Sequence, residues 1–227
     1  MKLWQRIVDW EQNLRAHYNV DLSTPENRRR ANIYNLWFDH AVLRTFWTNF
    51  FEIAPGVFRS NQPTHGRFVR LKRRGIKTII NLRGRSNAAH FLVAEESCKE
   101  LGLELVSLNL NARNASPKHE ILGLIEAFRT AEKPMVLHCK SGADRAGFAS
   151  AIYLLVIEKS SMAEARKMMG VKYLHLRFSK TGVLDFVFDL YATRNAQSPI
   201  PFEDWIRDEY DPQAIQSDYQ SKYKPWF

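Results

Sequence analysis

The chain has little sulfur, few acids and no long apolar run. Cysteine occurs twice in 227 residues, as Cys98 and Cys139, too few for a disulfide framework. That excludes the stapled scaffolds of small secreted domains and leaves thiols available for chemistry in a reducing compartment. The longest apolar stretch, Ala146 to Ile157, is too short to span a bilayer. Charges in the opening Met1-Lys2-Leu3-Trp4-Gln5-Arg6 interrupt any apolar core, so no secretory signal is expected. The expected location is the cytoplasm, with peripheral attachment to an anionic membrane as the membrane role left open. Acids number 24 against 33 Lys and Arg, a net charge of +9, which favours anionic partners. No nucleic-acid motif stands out, and the aromatics are not interleaved with basic residues as a stacking platform requires, so nucleic acid is not expected. The seven histidines are scattered and form no metal-ligand constellation. Neither a metal nor another cofactor is expected. There is no internal repeat and no low-complexity segment.

What is present reads as one α/β domain with appendages. Apolar content of 45% over 227 residues is enough for one good core. Residues 1–50 read as an N-terminal helical extension. A first helix over about 3–18 carries Leu3, Ile7, Trp10 and Leu14 at helical spacing. Ser23-Thr24-Pro25-Glu26 is a start signal for a second, over about 26–49. Basic and rich in tryptophan, this segment reads either as a membrane-surface element or as a helical layer packed on the domain, and the layer is favoured. Short strands are expected at 51–53 and 57–59 around Pro55-Gly56, then a helix over 65–74 and a buried strand from Gly75 to Arg83. A helix over 91–101 ends at Gly102, and a strand over 103–108, a helix over 117–131 and the strand into Cys139 follow. Helices at 145–158, 162–169 and about 180–193 complete a domain over 51–195. The tail, 196–227, is expected to be packed on the domain or partly ordered, with one short helix near 202–209 and a partly ordered end. Strands alternating with helices imply an α/β fold: a central, mostly parallel sheet of about four to five strands flanked by helices.

The chemistry concentrates in residues 135–147. Met135-Val136-Leu137 leads into His138 and Cys139, and Arg145 stands at the start of an apolar helical run. A loop between a buried strand and a helix start turns its backbone N–H groups toward the positive helix end, which makes an anion cradle. Helix N-terminus and nearby cations favour Cys139 as a thiolate on the cradle floor. Arg145 can fork two N–H groups onto two oxygens of a phosphate. Gly142 lets the loop backbone turn inward without steric cost.

His138-Cys139, five residues, Arg145, between strand and helix, resembles the signature loop of the cysteine-based protein-tyrosine phosphatase superfamily. The Lys140-Ser141-Gly142-Ala143-Asp144 interior is similar to small dual-specificity-like members, including bacterial ones. Gly56-Val57-Phe58-Arg59-Ser60-Asn61-Gln62-Pro63 and Gly75 to Arg83 also resemble them, and the resemblance covers about residues 52–192. It implies hydrolysis of phosphomonoesters through a phosphocysteine on Cys139. Ser141, Gly142 and Ala143 would line the phosphate, and His138 would orient the loop. Lys140 would meet a second anionic group or lie solvated on the rim. Arg83, with Arg85, would sit near the loop at a strand's carboxyl end or be an ordinary loop arginine. Arg113 would face the pocket from the loop after 108. In some relatives a second cysteine protects the nucleophile, but Cys98 reads as simply packed.

Two departures matter. The position after the arginine is usually Ser or Thr, whose hydroxyl helps the thiolate leave phosphorus. Here it is Ala146, which implies slow hydrolysis of the phosphoenzyme. Relatives also carry an Asp general acid 30–40 residues before the cysteine, but Asn109 to Glu120 contains none. Asp144 is the favoured acid, as an Asp before the Arg resembles myotubularin-type lipid phosphatases. Its alternative role is to cap the next helix, and Glu120, His119 or no dedicated acid remain open. The leading substrates are phosphorylated proteins, with phosphotyrosine first. The alternative is a phospholipid or inositol phosphate. A phosphate-binding pseudophosphatase and a rhodanese-like sulfur transferase are weaker readings.

Overall fold

The structure, a computed structural model, describes residues 22–33 and 47–223. The helix expected over 3–18 lies outside these residues, as does the middle of the one expected over 26–49. Its start is helix α1, Pro25–Ile33, where the Thr24 hydroxyl accepts from Asn27 N at 3.1 Å and proline occupies the first position. Its expected end is not helical. Residues 47–50 have no regular structure, because Asn61 takes the carbonyls of Trp47 and Thr48 and Asn49 turns left-handed at φ +48°.

Five strands form one sheet in the order β1-β2-β5-β3-β4. β1 (Phe51–Ala54) and β2 (Val57–Asn61) make an antiparallel hairpin. β3 (Thr78–Asn81), β4 (Glu104–Ser107) and β5 (Met135–Cys139) run parallel to β2. β5 lies at the centre with all five residues buried, which is why its sequence shows an apolar run rather than alternation.

The pleat sends alternate residues to two cores. Ile79 and Val136 join Phe68, Leu71, Ala94 and Cys98 under helices α2 (His65–Arg73) and α3 (Ala89–Leu101). Ile80, Met135, Leu137 and Cys139 face the larger core. That core is built by α4 (Lys118–Thr130), α5 (Asp144–Val156), α6 (Met162–Arg166), α7 (Val183–Gln197), α8 (Phe202–Asp208) and α9 (Pro212–Lys222). The two cysteines therefore belong to opposite faces of the sheet. Burial pushes the Cys98 thiol up to about 12, a packed, neutral group.

The tail holds a second helix beyond the one expected near 202–209. Asp211 caps α9 through Gln213 N and Ala214 N, with Pro212 in the first turn. Phe202, Trp205, Ile206, Tyr210, Ile215 and Tyr219 are all buried in the larger core. Tyr210 Oη donates to Ser116 O at 2.7 Å and Tyr219 Oη to Ser179 O at 3.0 Å. Among the described residues, no helix is long and apolar enough to cross a membrane.

Candidate active site

The parallel register aligns the carboxyl ends of β2, β5 and β3: Asn61 opposes Cys139 and Asn81 opposes His138. The loop 140–143 rises from that edge and runs into α5. Cys139 ends β5, 2% exposed, Asp144 opens α5 and Arg145 follows it. The positive end of α5 is therefore directed at the loop.

The orientation of the loop can be followed carbonyl by carbonyl. Lys140 O accepts from Gln62 N at 3.2 Å. Ser141 O accepts from Asn49 Nδ2 at 3.2 Å. Gly142 O and Ala143 O accept from Arg59 Nη2 at 2.6 and 3.1 Å. All four carbonyls are engaged by scaffold donors, Ala143 O also by Gly147 N at 2.8 Å. The N–H of each of these peptides therefore lies on the side away from those donors, where Ala143 N donates to Ser141 Oγ at 3.3 Å. Backbone N–H groups turned to one side are what an oxyanion cradle needs. Gly142 makes the reversal at φ +74°. A Cβ there would stand 2.8 Å from Asn61 N and 2.9 Å from Asn49 Cβ.

His138 is fully buried and has no hydrogen-bond partner on either ring nitrogen. Burial, with the charge of Arg83 nearby, pushes it down to about 3. It is a neutral packing group and brings no cation to the thiol. A buried cation that contacts the loop is Arg59, 0% exposed, which sequence reasoning placed only within a resembling stretch.

Asp144 does not stand alone. Its Oδ1 accepts from His175 Nδ1 at 2.8 Å, and His175 Nε2 donates to Asp185 Oδ2 at 2.7 Å. Burial alone would lower His175, but the two carboxylates raise it to about 9, so the ring is an imidazolium at neutral pH. Burial alone would raise Asp144, but the hydrogen bond and charge of His175 hold it below the usual carboxylate range. A general acid must carry a proton at working pH, and this ion pair favours the opposite state. Glu120 is engaged elsewhere, accepting from Asn109 N at 2.8 Å, and His119 is exposed beside it.

The other expected residues divide. Arg145 lies across the end of β3, donating to Leu82 O at 3.5 Å. Arg83 is brought to the same edge, where its Nη1 donates to Gln62 Oε1 at 3.1 Å, whereas Arg85 is exposed and faces Glu95 at 3.8 Å. Lys140 is half-buried and Ser141 exposed on the rim. Arg113 is exposed on the β4–α4 loop, and none of the described contacts draws it to the pocket. Sequence reasoning missed Asn49 and His175, neither of which belongs to a local pattern.

Comparison with known proteins agrees with this architecture. A family model described as DSP-PTPase phosphatase fused to NAD+ kinase matches residues 52–181. Among solved structures, a DUF442 protein from Shewanella putrefaciens CN-32 is 18% identical, with a TM-score of 0.50 over 65% of this chain and 93% of that one. TpbA from P. aeruginosa is 18% identical, with a TM-score of 0.48 over 76% of this chain and 91% of its own. The catalytic core of the PP-IP phosphatase Siw14 from S. cerevisiae is 18% identical, with a TM-score of 0.45 over 77% and 92%. No curated protein matches in sequence.

Proposed function

Because the chain belongs to the family described as DSP-PTPase phosphatase fused to NAD+ kinase, and so to the cysteine-based phosphatases, we propose that it hydrolyses phosphomonoesters through a phosphocysteine on Cys139. The observation that carries this reading is the loop above the thiol with all four carbonyls engaged from outside. The thiolate attacks phosphorus in line, the S–P bond forms and the bond to the leaving oxygen breaks. Arg145 and the loop N–H groups hold the three equatorial oxygens. Water then attacks phosphorus, the S–P bond breaks, and phosphate leaves the regenerated thiolate. Asp144, held ionised by His175, suits this second step, where a base takes a proton from the attacking water. Ala146 offers the departing thiolate no hydroxyl.

An ionised Asp144 leaves the first step weakly supplied with protons, which favours aryl phosphates over alkyl ones, since a phenolate leaves more readily. The substrate reading is therefore a phosphotyrosine-containing protein. One observation favours a second reading, a phospholipid or inositol phosphate. Val171, Leu174 and Phe178 are 72%, 55% and 57% exposed, interleaved with Lys172, Arg177 and Lys180. They lie on the segment that brings His175 to Asp144. Apolar tips among basic residues suit the surface of an anionic bilayer. The deciding experiment compares wild type and Cys139→Ser on phosphotyrosine peptides, phosphatidylglycerophosphate vesicles and inositol phosphates. Cys139-dependent turnover highest on the peptides supports the first reading, and turnover highest on vesicles or inositol phosphates replaces it. No turnover on any of the three, with phosphate bound, leaves a pseudophosphatase.

A further inference from the structure

We infer that Arg59 is a positioning residue for the oxyanion pocket: its buried guanidinium pins the carbonyls of Gly142 and Ala143 and so fixes the direction of the loop N–H groups. The inference rests on the phosphatase reading of the same loop. Arg59 lies on β2, and its side chain is wholly buried in the larger core side of the sheet. One nitrogen, Nη2, donates to Gly142 O at 2.6 Å and Ala143 O at 3.1 Å. The other, Nη1, donates to Met168 O at 2.6 Å, beyond the end of α6. The guanidinium carbon lies 3.8 Å from the centroid of the Tyr173 ring. A Cβ on Gly147 would stand 2.8 Å from Met168 O, the carbonyl that accepts from Nη1, so a glycine at 147 keeps this space open.

A buried cation is costly unless its surroundings compensate it, and none of the described ion pairs joins Arg59 to a carboxylate. Its partners are three carbonyl dipoles and an aromatic face. Two of those dipoles belong to the phosphate loop. A peptide whose C=O points at Arg59 has its N–H on the opposite side, so pinning these carbonyls aims the N–H groups of Ala143 and Asp144 away from the guanidinium. Gly147 N shares Ala143 O at 2.8 Å and Ser141 Oγ accepts from Ala143 N at 3.3 Å, whereas Gly142 O is held by Arg59. The planar fork matters as well as the charge, because one guanidinium reaches the loop and Met168 O together, and an ammonium does not reproduce that geometry. The positive charge also lies beneath a site that must hold a thiolate and a phosphate dianion.

The test is tungstate binding by calorimetry together with kcat and KM on an aryl phosphate, for wild type, Arg59→Met and Arg59→Lys. Leu124→Ala, a core truncation on α4 away from the loop, serves as a stability control. Arg59→Met is expected to lose tungstate affinity and kcat/KM by about 100-fold or more. Arg59→Lys should keep the charge, lose the fork and fall by about tenfold. Leu124→Ala should lower the melting temperature with tungstate affinity unchanged. A folded Arg59→Met that binds tungstate like wild type overturns the inference and makes Arg59 a packing residue. If Arg59→Met does not fold, Arg59→Lys decides, and unchanged tungstate affinity there overturns it. Failure of wild type itself to bind tungstate or turn over the ester strikes the phosphatase reading instead.

Discussion

His175, buried, and Asp144, partly buried, form an ion pair at 2.8 Å, completed on the far side of the ring by Asp185 at 2.7 Å. The pair ties the first residue of α5 to the segment before α7, and it makes stability depend on pH with a definite sign. His175 is raised from 6.5 to about 9, so its contribution is complete below pH 6.5 and is lost as pH rises through about 9. That shift corresponds to on the order of 3 kcal/mol. Asp144 is lowered, so its contribution is present above its ordinary value and is lost only in acid. Denaturant unfolding of wild type between pH 6.5 and 9.5 should show this alkaline loss. His175→Gln should be less stable at pH 6.5 and nearly flat over the window. An equal slope in both proteins would remove His175 from the account.

Burst kinetics should separate the two roles available to Asp144. As the base of the second step, Asp144→Asn should leave the burst near wild type and slow steady-state turnover by about 10²-fold. It should also flatten the acid limb of the pH–rate profile. An acid in the first step instead makes the burst rate itself fall, most steeply for poor leaving groups. Glu120→Gln should change neither, because its carboxylate is bonded to Asn109 N. A flattened limb in Glu120→Gln alone would reassign the proton chemistry.

Ala146 is wholly buried at the first turn of α5. A hydroxyl at this position can hydrogen-bond the departing thiolate, so Ala146→Ser should raise steady-state turnover by about tenfold while the burst phase is unchanged. Absence of a burst in wild type, together with no gain in the variant, would show that phosphoenzyme hydrolysis does not limit the rate.

Gly142 combines φ +74° with backbone neighbours 2.8 Å from any added Cβ. Neither strain has a flexible atom to absorb it, so Gly142→Ala should cost more than about 2 kcal/mol and abolish turnover even in the folded fraction. Melting temperature and activity measured on the same sample check this. A folded variant with more than a tenth of wild-type kcat would mean that the loop accommodates the change.

The parts of the site that could be read from sequence are contiguous. Cys139, Gly142 and Arg145 fall within seven residues, where spacing and residue type carry the chemistry. The sheet was readable because β3 and β5 are apolar runs bounded by polar loops. Arg59, Asn49 and His175 reach the loop from 83, 92 and 31 residues away, and only the parallel register and the path of residues 170–182 bring them there. Arg59 had a faint signal, since strand alternation puts it on the same face as buried Val57. His175 had none, being one of seven scattered histidines. The second tail helix was missed although Asp211-Pro212 is a start signal of the same kind as Thr24-Pro25.

Asn49 lies outside the matched stretch of residues 52–181, yet its amide nitrogen donates to Ser141 O at 3.2 Å and Tyr173 O at 3.0 Å. It thereby joins the loop 140–143 to the segment carrying His175. Its left-handed backbone suits Asn and Gly better than Ala. Asn49→Gly should keep the backbone and lose only the two donor contacts, and kcat/KM should fall by about tenfold with a small drop in melting temperature. Asn49→Asp places a carboxylate against two carbonyl oxygens, so repulsion is added to the loss, and the fall should exceed that of Asn49→Gly. Equal activity in Asn49→Gly and wild type would show that Gln62 N and Arg59 hold the loop without help from residues 47–50.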